Sequence, residues 1–320
     1  MQKIKSLPMA LTMLGIGAAT SFAEVKLTDN LSTSGFLDMS ANGMKPDSGD
    51  ATLNAEVDQY EMDFFYKFGA LSARADINSI GPNGAVVFEQ GYVTATSGAL
   101  SMSVGKFLSC SGFEAAEPTG LFQYSTSKLN TGYIGTPFAG PTYGGYENGL
   151  NVAYAAPKFA LYGALLTSVW GTADTDLKSP GFEAQVALMP VDGVTAKVTF
   201  LHEVIDDTTT HDSQSEVNAW AQYAKGPLTV AAEYSMLMNW KVKDETGNGW
   251  LAMANYKFTD KIAATVRYSG IKLKTPKDPD TEVTFSPSYT ISPNWLVLAE
   301  VRQEIDLKAT SYAMENTFSF

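Results

Sequence analysis

Alternation of apolar and polar residues, renewed at nearly even spacing along most of the chain, is what most constrains this sequence. Between residues 56 and 68, Tyr60, Met62, Phe64, Tyr66 and Phe68 fall on one face, while Gln59, Glu61, Asp63 and Lys67 fall on the other. Leu71, Ala73, Ala75 and Ile77 then alternate with Ser72, Arg74, Asp76 and Asn78. A period of two belongs to a β-strand, whose successive side chains point to opposite faces. The pattern returns at 194–200, 228–236, 250–258, 262–268 and 283–291. In the last of these Pro287 implies a bulge or kink, because proline cannot donate to a ladder.

Sixteen such segments follow from this reading: 31–40, 55–68, 70–78, 85–96, 99–107, 146–156, 159–169, 181–190, 193–204, 215–224, 227–238, 249–258, 261–271, 281–291, 294–304 and 310–320. Segment 85–96 fits least well, since Glu89 and Gln90 disturb either choice of outward face; without it, or with a hairpin inside the third loop, the count becomes fourteen or eighteen. The connections alternate in length. Short ones carry turn residues, as at Phe68-Gly69-Ala70, Ser97-Gly98, Val191-Asp192-Gly193 and Lys225-Gly226-Pro227. Long ones, at 41–54, 79–84, 108–145, 170–180, 205–214, 239–248, 272–280 and 305–309, are polar and mostly acidic.

Tight turns at one end and long loops at the other are the pattern of a transmembrane antiparallel up-and-down β-barrel. The even strand number returns both termini to the same side. Residues 1–23 read as an export signal: Lys3 and Lys5 precede an apolar run, and Ser21-Phe22-Ala23 suits the cleavage rule. The barrel domain is then 24–320. No later stretch has the roughly 18 consecutive apolar residues that a membrane helix needs. The expected destination is therefore the bacterial outer membrane, since only closed barrels and helices satisfy every backbone group in lipid. A soluble all-β protein is the competing reading. The formal charge of −12 argues against nucleic acid as a partner, because binding it requires basic surface. The one cysteine, Cys110, has no intramolecular partner and reads as a shielded or idle thiol.

Aromatic residues bunch beside the short turns: Tyr66, Phe68, Phe159, Tyr256, Phe258, Tyr289, Trp295, Phe318 and Phe320. That is the place of an interfacial girdle in contact with outer-membrane lipid. In the last strand Tyr312, Met314, Phe318 and Phe320 face outward. A final aromatic with another two residues before it looks like the signal read by the barrel-assembly machinery. The ring should close on the strand around Leu31 to Met39.

The connection 108–145 is too long for an ordinary hairpin, and its Phe113, Leu121, Phe122, Tyr124, Tyr133, Ile134 and Phe138 are too apolar for a disordered one. As the third external loop it should fold inward against the wall. Here the chain resembles the OmpL-like β-barrel porins. The resemblance rests on Val104-Gly105-Lys106-Phe107, Gly112-Phe113-Glu114, Gln123-Tyr124-Ser125, and Pro141-Thr142 ahead of Gly144-Gly145, with Gly35-Phe36-Leu37-Asp38 similar to the family's opening. It implies a pore for small hydrophilic solutes, with the third loop as a constriction. Assembly as a homotrimer is expected only by analogy with other sixteen-stranded porins.

A ring of sixteen strands encloses water, and inward charges then set its selectivity. The inward set includes Glu61, Asp63, Lys67, Arg74, Asp76, Lys197, Glu233, Lys257, Arg267, Glu282, Glu300 and Arg302. Glu114 and Glu117 of the third loop, facing Arg74, Lys197 and Arg267, are the candidate constriction; solvated loop acids are the plainer alternative. Acidic external loops predict a mild cation preference. Asp206-Asp207 and Asp278-Pro279-Asp280 lack the spacing of a calcium loop and read better as solvated acids. No metal or other cofactor is expected. His202 and His211 are the only histidines, and no nucleophile elbow accompanies them, so catalysis is not expected. A structural or adhesive barrel without an open bore is the third reading, decided by whether loop 108–145 fills the lumen.

Overall fold

The computed structural model describes residues 24–81, 84–130, 145–170, 179–207, 211–240, 243–275 and 278–320, with the side chains of 206, 207, 211 and 212 left aside. The expected signal at 1–23, the loop residues Tyr133, Ile134, Phe138 and Pro141-Thr142, and the His211 side chain lie outside that set.

A two-residue strand, β1 (Val25–Lys26), precedes sixteen longer ones: β2 (Leu31–Lys45), β3 (Thr52–Phe68), β4 (Leu71–Ile80), β5 (Val86–Ser97), β6 (Leu100–Leu108), β7 (Tyr146–Ala155), β8 (Phe159–Leu166), β9 (Gly181–Leu188), β10 (Val194–Asp207), β11 (His211–Lys225), β12 (Leu228–Met238), β13 (Thr246–Lys257), β14 (Ile262–Leu273), β15 (Asp280–Ser292), β16 (Trp295–Glu304) and β17 (Ala309–Ser319). From β2 onward each strand pairs antiparallel with the next, as at Phe68↔Leu71 between β3 and β4. The ring closes where β17 meets β2, from Thr310↔Lys45 to Ser319↔Phe36. Closure leaves no sheet edge to seek another chain.

The wall is inverted relative to a soluble protein. In β9, Phe182, Val186 and Leu188 are exposed on the outside, whereas Glu183 and Gln185 are buried inside. Outward Tyr66, Phe68, Phe159, Tyr256, Phe258, Tyr289, Trp295 and Phe318 stay exposed beside the short turns, as a lipid-facing girdle requires. Those turns use the left-handed backbone that glycine tolerates, at Gly69 (φ 61°) and Gly98 (φ 60°).

Phe320 is the residue at which the ring is sealed. Its N–H and C=O both bond to Gly35, each at 3.0 Å. A Cβ built on Gly35 would meet the Phe320 ring at 2.7 Å and collide with the Glu61 carbonyl, so only glycine leaves room for the ring. β1 takes up the ladder just beyond, pairing Val25↔Thr33 and Lys26↔Ser32.

Several expected boundaries move. β2 and β3 run past 40 and start before 55, so the first loop is far shorter than 41–54. Likewise β10 and β11 absorb most of 205–214. At 167–169 the chain leaves the wall instead of extending β8, and Val169 is buried among Phe107, Ala164 and Leu201. The misfit at Glu89 and Gln90 is a β-bulge. Asp76 pairs with Gln90 while Ile77 pairs with Phe88, so Glu89 is the extra residue and both polar side chains turn inward. Pro287 makes no bulge. The ladder to β16 lapses at Ser286 and Pro287, then resumes in the same register at Ser288↔Leu298; the shift comes later, between Thr290 and Ser292.

Candidate functional site

After β6 the chain turns into the lumen and crosses it. The first contact is with β9, where Glu183 accepts hydrogen bonds from the Ser109 hydroxyl and, at 3.2 Å, from the Cys110 N–H. The Cys110 thiol is buried, and burial raises its pKa above the ordinary thiol range. Next, the N–H of Phe113 donates to Glu233 of β12 at 3.0 Å. Phe113 and Leu129 then pack with Trp220, Ala231, Leu251 and Met253, the Phe113 and Trp220 rings meeting edge to face at 5.5 Å. Apolar side chains so placed on an otherwise polar inner wall give the loop a dry seat.

The far half of the loop reaches the opposite wall. Tyr124 places its hydroxyl 3.2 Å from Ser40 and 3.0 Å from Asn42 on β2, with burial raising its pKa. The N–H of Ser125 donates to Glu300 of β16 at 3.2 Å. Lys128 inserts its ammonium between Asp280 at 3.1 Å and Glu304 at 3.3 Å. Asp280, expected to be a solvated external acid, is thus a docking point for the loop.

Arg267 of β14 is the centre of this attachment and is fully buried. Its Nη1 donates to Glu114 at 2.6 Å and to the Ser125 carbonyl at 2.7 Å; Nη2 donates to Glu282 at 2.7 Å and to the Thr126 carbonyl at 3.0 Å. A planar fork that satisfies two carboxylates and two carbonyls is what guanidinium does and ammonium cannot. Glu114 and Arg267 are therefore in direct contact, with no gap between them.

The other candidates are arranged differently. Arg74 of β4 is held by wall acids, Asp76 at 2.8 Å and Asp63 at 3.4 Å, and lies over the Phe65 ring. Lys197 of β10 sits 5.2 Å from the Trp220 ring centre, and no ion pair to it occurs among the described residues. Glu117 faces acids, not cations: one of its carboxyl oxygens lies within 4.8 Å of one from Glu61 and one from Glu89. It accepts hydrogen bonds from Gln59 at 2.8 Å and from the Tyr146 hydroxyl at 2.7 Å. Burial, followed by repulsion from Glu89, pushes its pKa up to about 8.

The model of a family described as "Putative beta-barrel porin-2, OmpL-like" matches residues 14–319. The chain belongs to this family. No curated protein matches the porin's sequence. Among solved structures it is similar in fold to the anion-selective porin of Comamonas acidovorans (TM-score 0.71, 11% identity, over 91% of this chain and 99% of that one). It is also similar to OmpF of Salmonella typhi in complex with daunomycin (0.65, 11%, 93% and 100%) and to the outer membrane channel DcaP of Acinetobacter baumannii (0.63, 14%, 93% and 100%). The in-vitro folded OmpT of Vibrio cholerae, a trimer form, matches at 0.61 with 13% identity over 91% of this chain and 100% of that one.

Other inward features of this porin carry no pattern that a sequence reading could use. The chain after β8 also dips inward: Glu203 accepts from the Ser168 hydroxyl at 2.9 Å and the Trp170 N–H at 2.8 Å, and Trp170 meets Trp240 edge to face at 5.5 Å. These contacts join residues some 30 to 70 positions apart, so only the folded ring reveals them. His202 is on the outer face, bonded to Ser215 at 2.7 Å and packed against Phe182 and Phe200.

Proposed function

We propose that this porin is a diffusion channel for small hydrophilic solutes, narrowed by its third loop, with a mild preference for cations. The observation that carries the reading is the third loop itself, anchored across the lumen by Glu114 to Arg267 and by Lys128 to Asp280 and Glu304. A loop held at so many points narrows the bore reproducibly instead of flapping in it. Glu114, Glu117, Arg74, Lys197 and Arg267 line this narrowed level in our reading, with Glu114 and Arg267 building the constriction and Glu117, Arg74 and Lys197 setting its local field.

Cation preference follows from the inner wall. Among the described residues the buried cations of the wall and third loop are Lys128, Lys197 and Arg267, and the buried acidic side chains far outnumber them. A fixed negative field between low-dielectric walls attracts cations and is screened by salt. The test is the reversal potential across a planar bilayer in a potassium chloride gradient. A cation-favouring sign supports the reading, and an anion-favouring sign contradicts it.

The same reading takes residues 1–23 as a cleaved export signal and 24–320 as the mature barrel, inserted into outer-membrane lipid by the assembly machinery that recognises Phe318 and Phe320. It takes the working form as a homotrimer, consistent with the trimer form of the similar OmpT fold. It assigns no catalytic role. An outward-facing His202 among phenylalanines is poorly placed to meet a polar substrate. A second reading, a barrel with little conduction, is favoured by the apolar seat around Phe113 and by Val169 and Trp170 filling part of the bore.

A further inference from the structure

One patch of the inner wall gathers buried carboxyl groups from separate segments. Glu61 of β3 is 1% exposed and Glu89, turned inward by the β5 bulge, is 5% exposed. Glu117 descends on them from the third loop, and one carboxyl oxygen from each lies within 4.8 Å of the other two. Asp63 and Asp76 adjoin the patch, and Arg74 is already engaged with both. Neither Glu61 nor Glu117 contacts a cationic side chain among the described residues; Gln59, donating to both, is neutral.

A second observation points the same way. Asn78 of β4 is paired directly across from Glu61 and is 1% exposed. Its amide nitrogen donates to Glu89 at 2.8 Å, which sets the carboxamide against the cluster. Its Oδ1 has no hydrogen-bond partner among the described residues. A buried carbonyl oxygen left without a donor is costly, on the order of 1–3 kcal/mol. Three carboxyl groups, one of them bonded to the Asn78 amide, bring hard oxygen donors from four separate segments to one place.

We propose that the third loop and the wall together bind one divalent cation of the calcium class, with Glu61, Glu89 and Glu117 as carboxylate ligands and Asn78 Oδ1 as a neutral one. Calcium takes oxygen ligands at about 2.3–2.6 Å, so two of its ligands are at most roughly 5 Å apart, the spacing these carboxyls show. Water supplies the remaining positions, since calcium takes about 6–8 ligands. Magnesium, which demands a tighter octahedron and gives up water reluctantly, fits less well. The bound ion offsets the repulsion among the acids and fastens the loop to β3, β4 and β5, on the side of the ring away from Arg267.

The test uses the folded porin in detergent, stripped with a chelator and titrated calorimetrically with calcium chloride at mildly alkaline pH. One calcium per chain is expected, with a raised unfolding temperature and weaker binding of magnesium. Glu117→Gln and Glu89→Gln should each lower calcium affinity by roughly tenfold or more, as loss of a charged ligand does, whereas Asp47→Asn in the first external loop should not. Asn78→Ala is the milder variant should the others fail to fold, and it too should weaken binding. Absence of calcium binding and of any thermal shift in the wild type would overturn the proposal, since the acids are then neutralised by protons. Binding that persists unchanged in the folded variants would overturn it as well. The readout is binding, so it stands apart from conduction.

Discussion

At the scale of single residues, Arg267 carries more of the constriction than any other side chain. It is fully buried with its two carboxylate partners, Glu114 at 6% and Glu282 at 0% exposure. Removing one partner of a buried ion pair strands the others, at a cost of about 3–5 kcal/mol. Arg267→Ala should therefore release the loop's tip, and limited proteolysis of the folded barrel should cut within 109–130 where the wild type resists. Arg267→Lys should rescue only in part, because an ammonium cannot replace the fork. Resistance unchanged in the alanine variant would contradict the assignment. Phe320 acts at the same scale on assembly. Its deletion removes both backbone bonds to Gly35 and the ring over it, so outer-membrane levels should fall before conduction per channel changes. Normal levels of the truncated protein would count against the seal.

At the scale of elements, the third loop responds to pH through Glu117. Its pKa rises from 4.5 to about 8 when the loop is docked, so the docked state holds the proton more tightly. That contribution to docking is complete below about pH 4.5 and is lost as pH rises through about 8. In chelator-containing buffer, amide exchange across 109–130 should quicken over that window in the wild type and show no such step in Glu117→Gln. An increase on acidification would reverse the sign and sink the assignment. The elements also show what residue patterns convey. The sixteen strands, the ring closure and the inward third loop are legible because period two and loop length are local properties. Glu89 was legible only as a misfit: a bulge breaks the alternation without naming itself. Pro287 reads in the sequence as a bulge or kink, yet the ladder resumes beyond it in the same register. The ion-pair partners of Glu114 and Lys128 lie over 150 residues away, so charge sign alone could not choose among Arg74, Lys197 and Arg267.

At the scale of the whole molecule, the chain is a closed ring whose polarity is inverted, with an acidic inner wall and a loop pinned across it. An apolar exterior suits a membrane, and a polar interior suits a bore open to water and ions. The central claim is that this ring conducts despite the apolar seat around Phe113. Single-channel recording of the purified, heat-modifiable protein in planar bilayers tests it most directly. The account predicts discrete conductance steps in the wild type, and larger steps in a variant lacking residues 113–129. Silence across many confirmed insertions of the wild type would contradict it and leave a barrel that spans the membrane without opening it.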